Sequence, residues 1–246
     1  MIGLRIIEPD VEFITPKYFP DWSIPSLQLI EECGRVSHKS ENRITENSAA
    51  PFIKRIAIDY GHMSILEHFH FTICFTCSRA CSHQIVRHRI SAITQESMRY
   101  CDYSKAVDDN MLLNIIVPPS IGTVPRGTCV YKNEDNDLDF NIPGNITGVH
   151  DINSRNLHVF LKSALYSYNA YIDLTMSHVP PEDARYVLSH ASKTEVYITM
   201  NYHSWRNFFR LRLDKHAQWE IRMLAQKVYN NFMEFVPVIF EDMLEV

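Results

Sequence analysis

No run of about 18 or more apolar residues occurs in this 246-residue chain, so no segment reads as a helix that spans a bilayer. The opening residues, MIGLRIIEPD, lack the charged region, apolar stretch and small-residue cleavage site of a secretion signal. A soluble, cytoplasmic protein without membrane contact is the expectation. Cysteine is sparse too: six in a chain of this length, with no export signal, read as reduced thiols rather than a disulfide framework. In that setting Asn145-Ile146-Thr147 has the form of a glycosylation sequon without its meaning. No internal repeat is evident. Nor is there a surplus of positive charge, since 24 lysines and arginines stand against 29 aspartates and glutamates. That balance argues against a surface built for a nucleic-acid polymer.

What is present suffices for a folded protein, because 46% hydrophobic residues over this length can bury a substantial core. Residues 4–7 read as a short strand. Leu27, Ile30 and Cys33, at three-residue steps before Gly34, read as a helix starting near Ser26, and a second helix fits 51–61 with Gly61 as its cap. Residues 67–77 alternate aromatic and β-branched types as a strand does, and Ser78 can cap a helix reaching about His88. The best helix starts at Asn156, where Leu157, Phe160, Leu161, Ala164, Leu165, Tyr168 and Ile172 trace one face. Pro180-Pro181 opens a short helix carrying Arg185, residues 193–201 alternate as a strand, and helices follow over 205–211 and 216–235. Residues 102–153 hold four prolines, four glycines and an acidic run at 134–139 with little sustained periodicity, and part of this stretch reads as an irregular inserted or extended surface segment. The expected architecture is α/β, one compact domain over residues 1–246, with a mostly antiparallel sheet flanked by helices.

Against the acidic background, the stretch from Arg79 to Arg99 carries four arginines, His83 and His88, and a single acid, Glu96. Guanidinium forks match phosphate oxygens two at a time, so this is a local anion site in a non-basic protein. In an extended segment Arg87 and Arg89 point one way and His88 the other. Ser97, within Glu96-Ser97-Met98-Arg99, offers a hydroxyl and neighbouring amides for a terminal phosphate that Arg99 would neutralise. A nucleophilic role for Ser97 is disfavoured, because no Gly-x-Ser-x-Gly elbow surrounds it. Asn207 and Arg212, on one helix, are expected to face a single ligand cleft. The plain alternative for Arg212 is a salt bridge to Asp214 or Glu220.

Arg87-His88-Arg89, seven intervening residues and then Ser97 resemble the signature of the flavin-dependent thymidylate synthases. His62, Ser64, Glu67 and His68 add the family's His-x-Ser-x-x-Glu-His block, and residues 201–221 resemble its C-terminal signature, with Arg185 at the required distance before it. The resemblance implies reductive methylation of dUMP to dTMP, with methylenetetrahydrofolate as one-carbon donor and NADPH reducing bound FAD. It implies a homotetramer with sites between subunits, and no enzyme nucleophile on the uracil ring. The nucleotide would be held by Gln84, Arg87, Gln95, Glu96, Ser97, Met98, Arg99, Arg185 and Arg212, and the flavin by His62, Ser64, Arg87, His88, Arg89, Gln95, Asn201, His203 and Asn207. Arg212 would be the catalytic cation, stabilising negative charge on the ring during attack at its carbon. The chain departs from the commonest pattern at Gln95, an amide where many members carry a carboxylate, and at His203, where arginine is frequent. His68 and His216 are given no catalytic role.

Two other classes compete. Cys74, Cys77, Cys81 and His83 have the ligand types of a structural zinc site, but a strand over 69–77 would turn Cys74 and Cys77 to opposite faces, so no metal is expected. The Arg79–Arg99 patch with Tyr100 and Tyr103 could grip a nucleic-acid backbone and stack bases, yet its confinement favours a mononucleotide.

Overall fold

The computed structural model describes residues 2–105, 111–135, 137–143 and 154–245. Its strands are β1 (Ile2–Ile6), β2 (Asp10–Phe13), β3 (His70–Ser78), β4 (Ser91–Gln95), β5 (Met111–Ile115), β6 (Cys129–Lys132), β7 (Leu138–Asn141) and β8 (Lys193–Asn201). The helices are α1 (Ile14–Tyr18), α2 (Ser23–Arg35), α3 (Ala49–Ile53), α4 (Arg79–Ile85), α5 (Arg155–Met176), α6 (Pro181–Ala184), α7 (Tyr202–Arg212) and α8 (Trp219–Phe235). The α/β class is as expected from the sequence, carried by two four-stranded sheets of order β5-β1-β6-β7 and β2-β3-β8-β4. Contacts group the chain into two compact units: Met1–Asp10 with Thr76–His83 and Gln95–Glu195, and Val11–Phe75 with Gln84–Thr94 and Val196–Val246.

The first unit is organised by β1. It pairs in parallel with β5, Ile2 opposite Met111 through Ile6 opposite Ile115, and antiparallel with β6, which continues antiparallel to β7. Gly3, Leu4 and Ile6 of β1 are buried, and Leu4 and Ile6 meet Leu113, Ile115 and Val130 in one cluster. On that cluster lies α5, whose buried stripe of Leu157, Leu161, Ala164, Leu165, Tyr168 and Ile172 follows the spacing read from the sequence. Each such aliphatic side chain removed from water is worth about 1.5–3 kcal/mol.

Three of that sheet's strands correct the expectation for 102–153. β5, β6 and β7 are only four or five residues long and separated by prolines and turns, so none shows a sustained period. β5 and β6 are ordered by pairing with the distant N-terminal strand, a tertiary cause that local pattern does not register, and β7 is added beside β6. The acidic run lies partly in the β6–β7 turn, where Asp137 pairs with Lys162 at 2.9 Å; residues 106–110, 136 and 144–153 of the stretch lie outside the described residues.

The second unit is held by aromatics. Phe71 of β3, Trp22, and Phe232 of α8 pack with ring centroids 4.7 and 4.8 Å from Phe71, and Trp205, Phe208 and Phe209 of α7 join them, all fully or nearly fully buried. α8 starts at Gln218, whose side-chain oxygen accepts from the Glu220 and Ile221 amides. After α3 the helix widens into a π-turn, Lys54–Asp59, and Gly61 takes the left-handed conformation (φ 75°) that ends it, in line with its expected capping role. Gly34 on α2 permits close approach, since a Cβ there would sit 2.7 Å from the Phe52 ring.

Candidate functional site

The local chemistry of α4 and α7 places the catalytic candidates of the second unit. Ser78 accepts from the Cys81 amide at 3.0 Å and so caps α4, as the sequence suggests, and the helix ends at Ile85, three residues earlier than expected. The chain then turns through Arg87-His88-Arg89 instead of running extended. The two arginines are nevertheless exposed and His88 is buried, and neither arginine side chain has an ion-pair partner among the described residues. The next residue, Ile90, has φ 62°, a left-handed conformation that costs a β-branched residue roughly 1–2 kcal/mol. Its side chain is 77% exposed, and its carbonyl accepts from the Ser204 hydroxyl at 3.3 Å. Strain and an uncovered apolar side chain thus coincide beside the double arginine. No feature of the sequence marks that conformation.

α7 begins where the Asn201 side chain accepts from the Ser204 amide at 2.8 Å, and its apolar face of Tyr202, Trp205, Phe208 and Phe209 is buried. The last turn delivers Arg212, whose Nε donates to His88 Nε2 at 2.9 Å, while Nη1 reaches Gln84 Oε1 at 3.4 Å and Nη2 the Gln84 carbonyl at 3.3 Å. Three residues singled out from the sequence, Gln84, His88 and Arg212, therefore form one cluster. Burial and then the adjacent Arg212 charge lower the His88 pKa to about 4. At neutral pH His88 is uncharged, its Nε2 accepts, and its proton is on Nδ1. Phe208 meets the ring edge at 4.7 Å and completes its burial.

Asn207 does not share this cluster. Five residues advance a helix by about 140° beyond one full turn, so Asn207 is exposed and accepts from Arg210 at 2.9 Å while Arg212 turns toward His88. Asn201, buried, has its carbonyl oxygen committed to the helix cap. His203 pairs through Nδ1 with Glu67 Oε1 at 3.0 Å, an exposed contact that sequence reasoning did not foresee.

His62 and Ser64 line a separate cavity of the same unit, about 1180 Å3 in volume. Its wall includes Arg35, Arg43, Arg55, His38 and His68 and contains no acid. Arg35 is its buried anchor: Nε donates to Glu31 at 2.7 Å, Ser48 donates to the other Glu31 oxygen at 2.8 Å, and the guanidinium lies 4.6 Å from the centre of the Phe52 ring. Such a basic cavity fits a phosphate-bearing cofactor. The arginines of 35–55 were missed because they are scattered in sequence and converge only when α2 and the π-turn pack together.

The first unit holds a second group of candidates. Arg185, Met98 and Arg79 line one cleft of about 320 Å3, with His83, Ser189 and His190 completing it. Arg185 donates from Nε to the Glu182 carbonyl at 2.9 Å, and Arg79 from Nη2 to the Glu96 carbonyl at 2.8 Å. Among the described residues neither has a carboxylate partner, and the Nε of Arg79 is buried without a hydrogen bond. Two cations with spare donors in one cleft suit an anion. Arg79 was not picked from the sequence as a site residue. The available signal was an arginine in the first turn of a helix, where the dipole disfavours a cation.

Neighbouring candidates are arranged differently from expectation. Glu96, expected against the nucleotide, accepts instead from Tyr103 Oη at 2.8 Å and Lys193 Nζ at 3.2 Å, and so ties down its own loop. A carboxylate so engaged is kept from repelling an anionic ligand. Arg99, expected to neutralise a phosphate, is ion-paired with Glu182 at 2.5 Å, and its amide donates to Ser97 Oγ at 3.2 Å. Gln95 donates to Ser82 and Thr194.

Cys74, Cys77 and Cys81 are buried thiols outside any disulfide, and no group of three or more potential metal ligands occurs among the described residues. No described helix is long and apolar enough to cross a membrane.

Comparison with known proteins agrees with this chemistry. Residues 23–238 match the family model described as Thy1, thymidylate synthase complementing protein. The chain is 35% identical over 201 residues to a flavin-dependent thymidylate synthase of Pyrococcus furiosus, covering 81% of this chain and 69% of that one. It is 28% identical over 258 residues to the protein of that name from Mycobacteroides abscessus, covering 98% and 90%. Among solved structures, a UMP/dUMP methylase from Streptomyces cacaoi, crystallised with 5-Br dUMP, matches with a TM-score of 0.70 over 97% of this chain and 96% of its own at 19% identity, a likeness of fold.

Proposed function

The chain belongs to the Thy1 family of flavin-dependent thymidylate synthases, and on that premise we propose that it converts dUMP to dTMP by reductive methylation. Methylenetetrahydrofolate gives the carbon, and NADPH is the reductant. FAD, when bound, supplies the hydride that completes the methyl group. The protein acts in the cytoplasm as a homotetramer with sites between subunits, as the resemblance implies.

The observation that carries this reading is the Arg212 cluster. A guanidinium held by an uncharged histidine and a glutamine amide has a set direction. Such a group, already oriented before reaction, stabilises negative charge on a pyrimidine ring without reorganising. In the other unit, Arg185 and Arg79 hold the 5′-phosphate, with the Met98 segment beside them. Arg87 and Arg89, exposed and without ion-pair partners among the described residues, and the basic cavity at His62 and Ser64 hold the flavin's phosphates. No side chain need attack the ring, which agrees with a site rich in arginine and lacking an activated nucleophile.

The test is spectroscopic. Purified protein should show a flavin spectrum that NADPH bleaches anaerobically and that returns on addition of dUMP and methylenetetrahydrofolate together, with dTMP formed. UMP run in parallel decides whether the 2′-hydroxyl is tolerated. A colourless protein that cannot be loaded with FAD, or re-oxidation without dTMP, defeats the proposal.

A further inference from the structure

Arg79 and His83 stand four residues apart on α4, and so on one face of it. Beside that face the loop 189–192 is pinned by backbone hydrogen bonds. The Ser192 amide donates to the Ser189 carbonyl at 3.0 Å, the Arg79 amide to the Ser192 carbonyl at 2.9 Å and the Ala80 amide to the His190 carbonyl at 3.1 Å. The pinned loop sets His190 against His83, with the ring centroids 5.5 Å apart and the planes 69° from parallel. Ser189 lines the same wall. Its Oγ accepts from the Ala191 amide at 3.1 Å, and because a backbone N–H can only donate, the hydroxyl proton is left to give. Among the described residues neither imidazole has a hydrogen-bond or ion-pair partner, and the Ser189 proton has no acceptor. The cleft that these residues share with Arg185 measures about 320 Å3 and has no acid in its wall. A phosphoryl group displaces about as much as two or three waters of roughly 30 Å3 each, so one phosphate leaves most of that volume open. His83, His190 and Ser189 then remain as donors beyond the two arginines.

We propose that His83, His190 and Ser189 form a subsite for a second phosphate, through which the cleft takes a pyrimidine nucleoside 5′-di- or triphosphate in competition with the monophosphate. The inference rests on the function proposed above, in which Arg79 and Arg185 hold the 5′-phosphate. An oligophosphate tail carries further oxygens that accept from the two rings and the hydroxyl, and no carboxylate in the wall repels its added charge. A monophosphate ends before it reaches them.

The experiment measures, on the flavin-loaded protein in buffer without divalent cations, binding of dUMP, dUDP and dUTP and of dTMP, dTDP and dTTP by competition. In at least one series the di- or triphosphate should bind about tenfold or more tightly than its monophosphate. A gain in the uracil series assigns the tail to the substrate side of the reaction, and a gain in the thymine series to the product side. In the double variant His83→Ala/His190→Ala the gain should vanish while dUMP affinity stays within about twofold of the wild type. Both rings are exposed, so their removal leaves the core intact, and Ser189→Ala, which should narrow the gain, gives a second variant if the first fails to fold. No gain in either series, or a gain that survives the double variant, overturns the inference. A double variant that loses FAD and keeps the gain overturns it too, and gives the two rings to the flavin's diphosphate. Binding of dUMP without any gain from a longer tail defeats only this inference, whereas failure to bind dUMP defeats the function reading as well.

Discussion

The two units each hold an arginine site, and the sites differ in what restrains the cation. Arg212 in the second unit is held by the His88 ring as well as by the Gln84 side chain and carbonyl, and the histidine must stay unprotonated for its contact to exist. Arg185 and Arg79 in the first unit are held by backbone carbonyls of Glu182 and Glu96, which spend one donor of each fork and leave the others for a ligand. On the proposed function, side-chain restraint would set the direction of one guanidinium against a ring whose charge develops only during reaction. Carbonyl restraint leaves several donors for an anion that is charged from the start. The first arrangement should act on rate and the second on affinity.

Removing Arg212 tests the rate side and has the largest expected effect. Arg212→Ala should lower kcat about 100- to 1000-fold, about 3–4 kcal/mol of transition-state stabilisation, with a much smaller change in the nucleotide Kd. Single-turnover flavin re-oxidation and equilibrium dialysis measure the two separately. Full activity in this variant would contradict the role given to the cluster.

The affinity side is tested by Arg185→Ala and Arg79→Ala. Loss of a charge-assisted hydrogen bond to phosphate should weaken nucleotide binding by roughly 10- to 100-fold, about 1.5–3 kcal/mol, with kcat at saturation little changed. Deoxyuridine, which has no phosphate, should bind both variants as it binds the wild type. A fall in kcat at unchanged affinity would reverse the comparison between the units.

How much of this was legible beforehand follows the range of the interactions involved. α5 and β8 were readable because their apolar periods are local, and Ser78 as a cap because its partner is three residues away. The strands β5 and β6 were not, since nonlocal pairing with β1, parallel for β5 and antiparallel for β6, orders them, and β7 joins the sheet only through β6. Among site residues, the motif brought out Gln84, His88 and Arg212, but their mutual hydrogen bonds join positions more than a hundred residues apart. Arg79 and Arg35 lay outside the quoted blocks, and the converging of each with other cations belongs to packing. The pairing of Asn207 with Arg212 failed for a simpler reason: their helical angle was misjudged.

The smallest expected effect concerns pH, and it arises only on the side-chain-restrained side. His88 is lowered from 6.5 to about 4, first by burial and then by the Arg212 charge. Between those values the unfolded chain binds a proton at this residue that the folded chain refuses, so stability rises with pH across the window. The His88 contribution is fully present above about pH 6.5 and is lost as pH falls toward 4. A shift of this size, discounted for screening by solvent, is worth about 2 kcal/mol. Other groups also titrate in acid, so the informative quantity is a difference. In His88→Gln an amide oxygen can still accept from Arg212 but takes up no proton, and urea denaturation at pH 7 and pH 4.5 should show a smaller acid loss than in the wild type. Equal losses in the two proteins would mean that the Arg212 contact does not depend on a neutral imidazole, and the distinction between side-chain and carbonyl restraint would lose its physical basis.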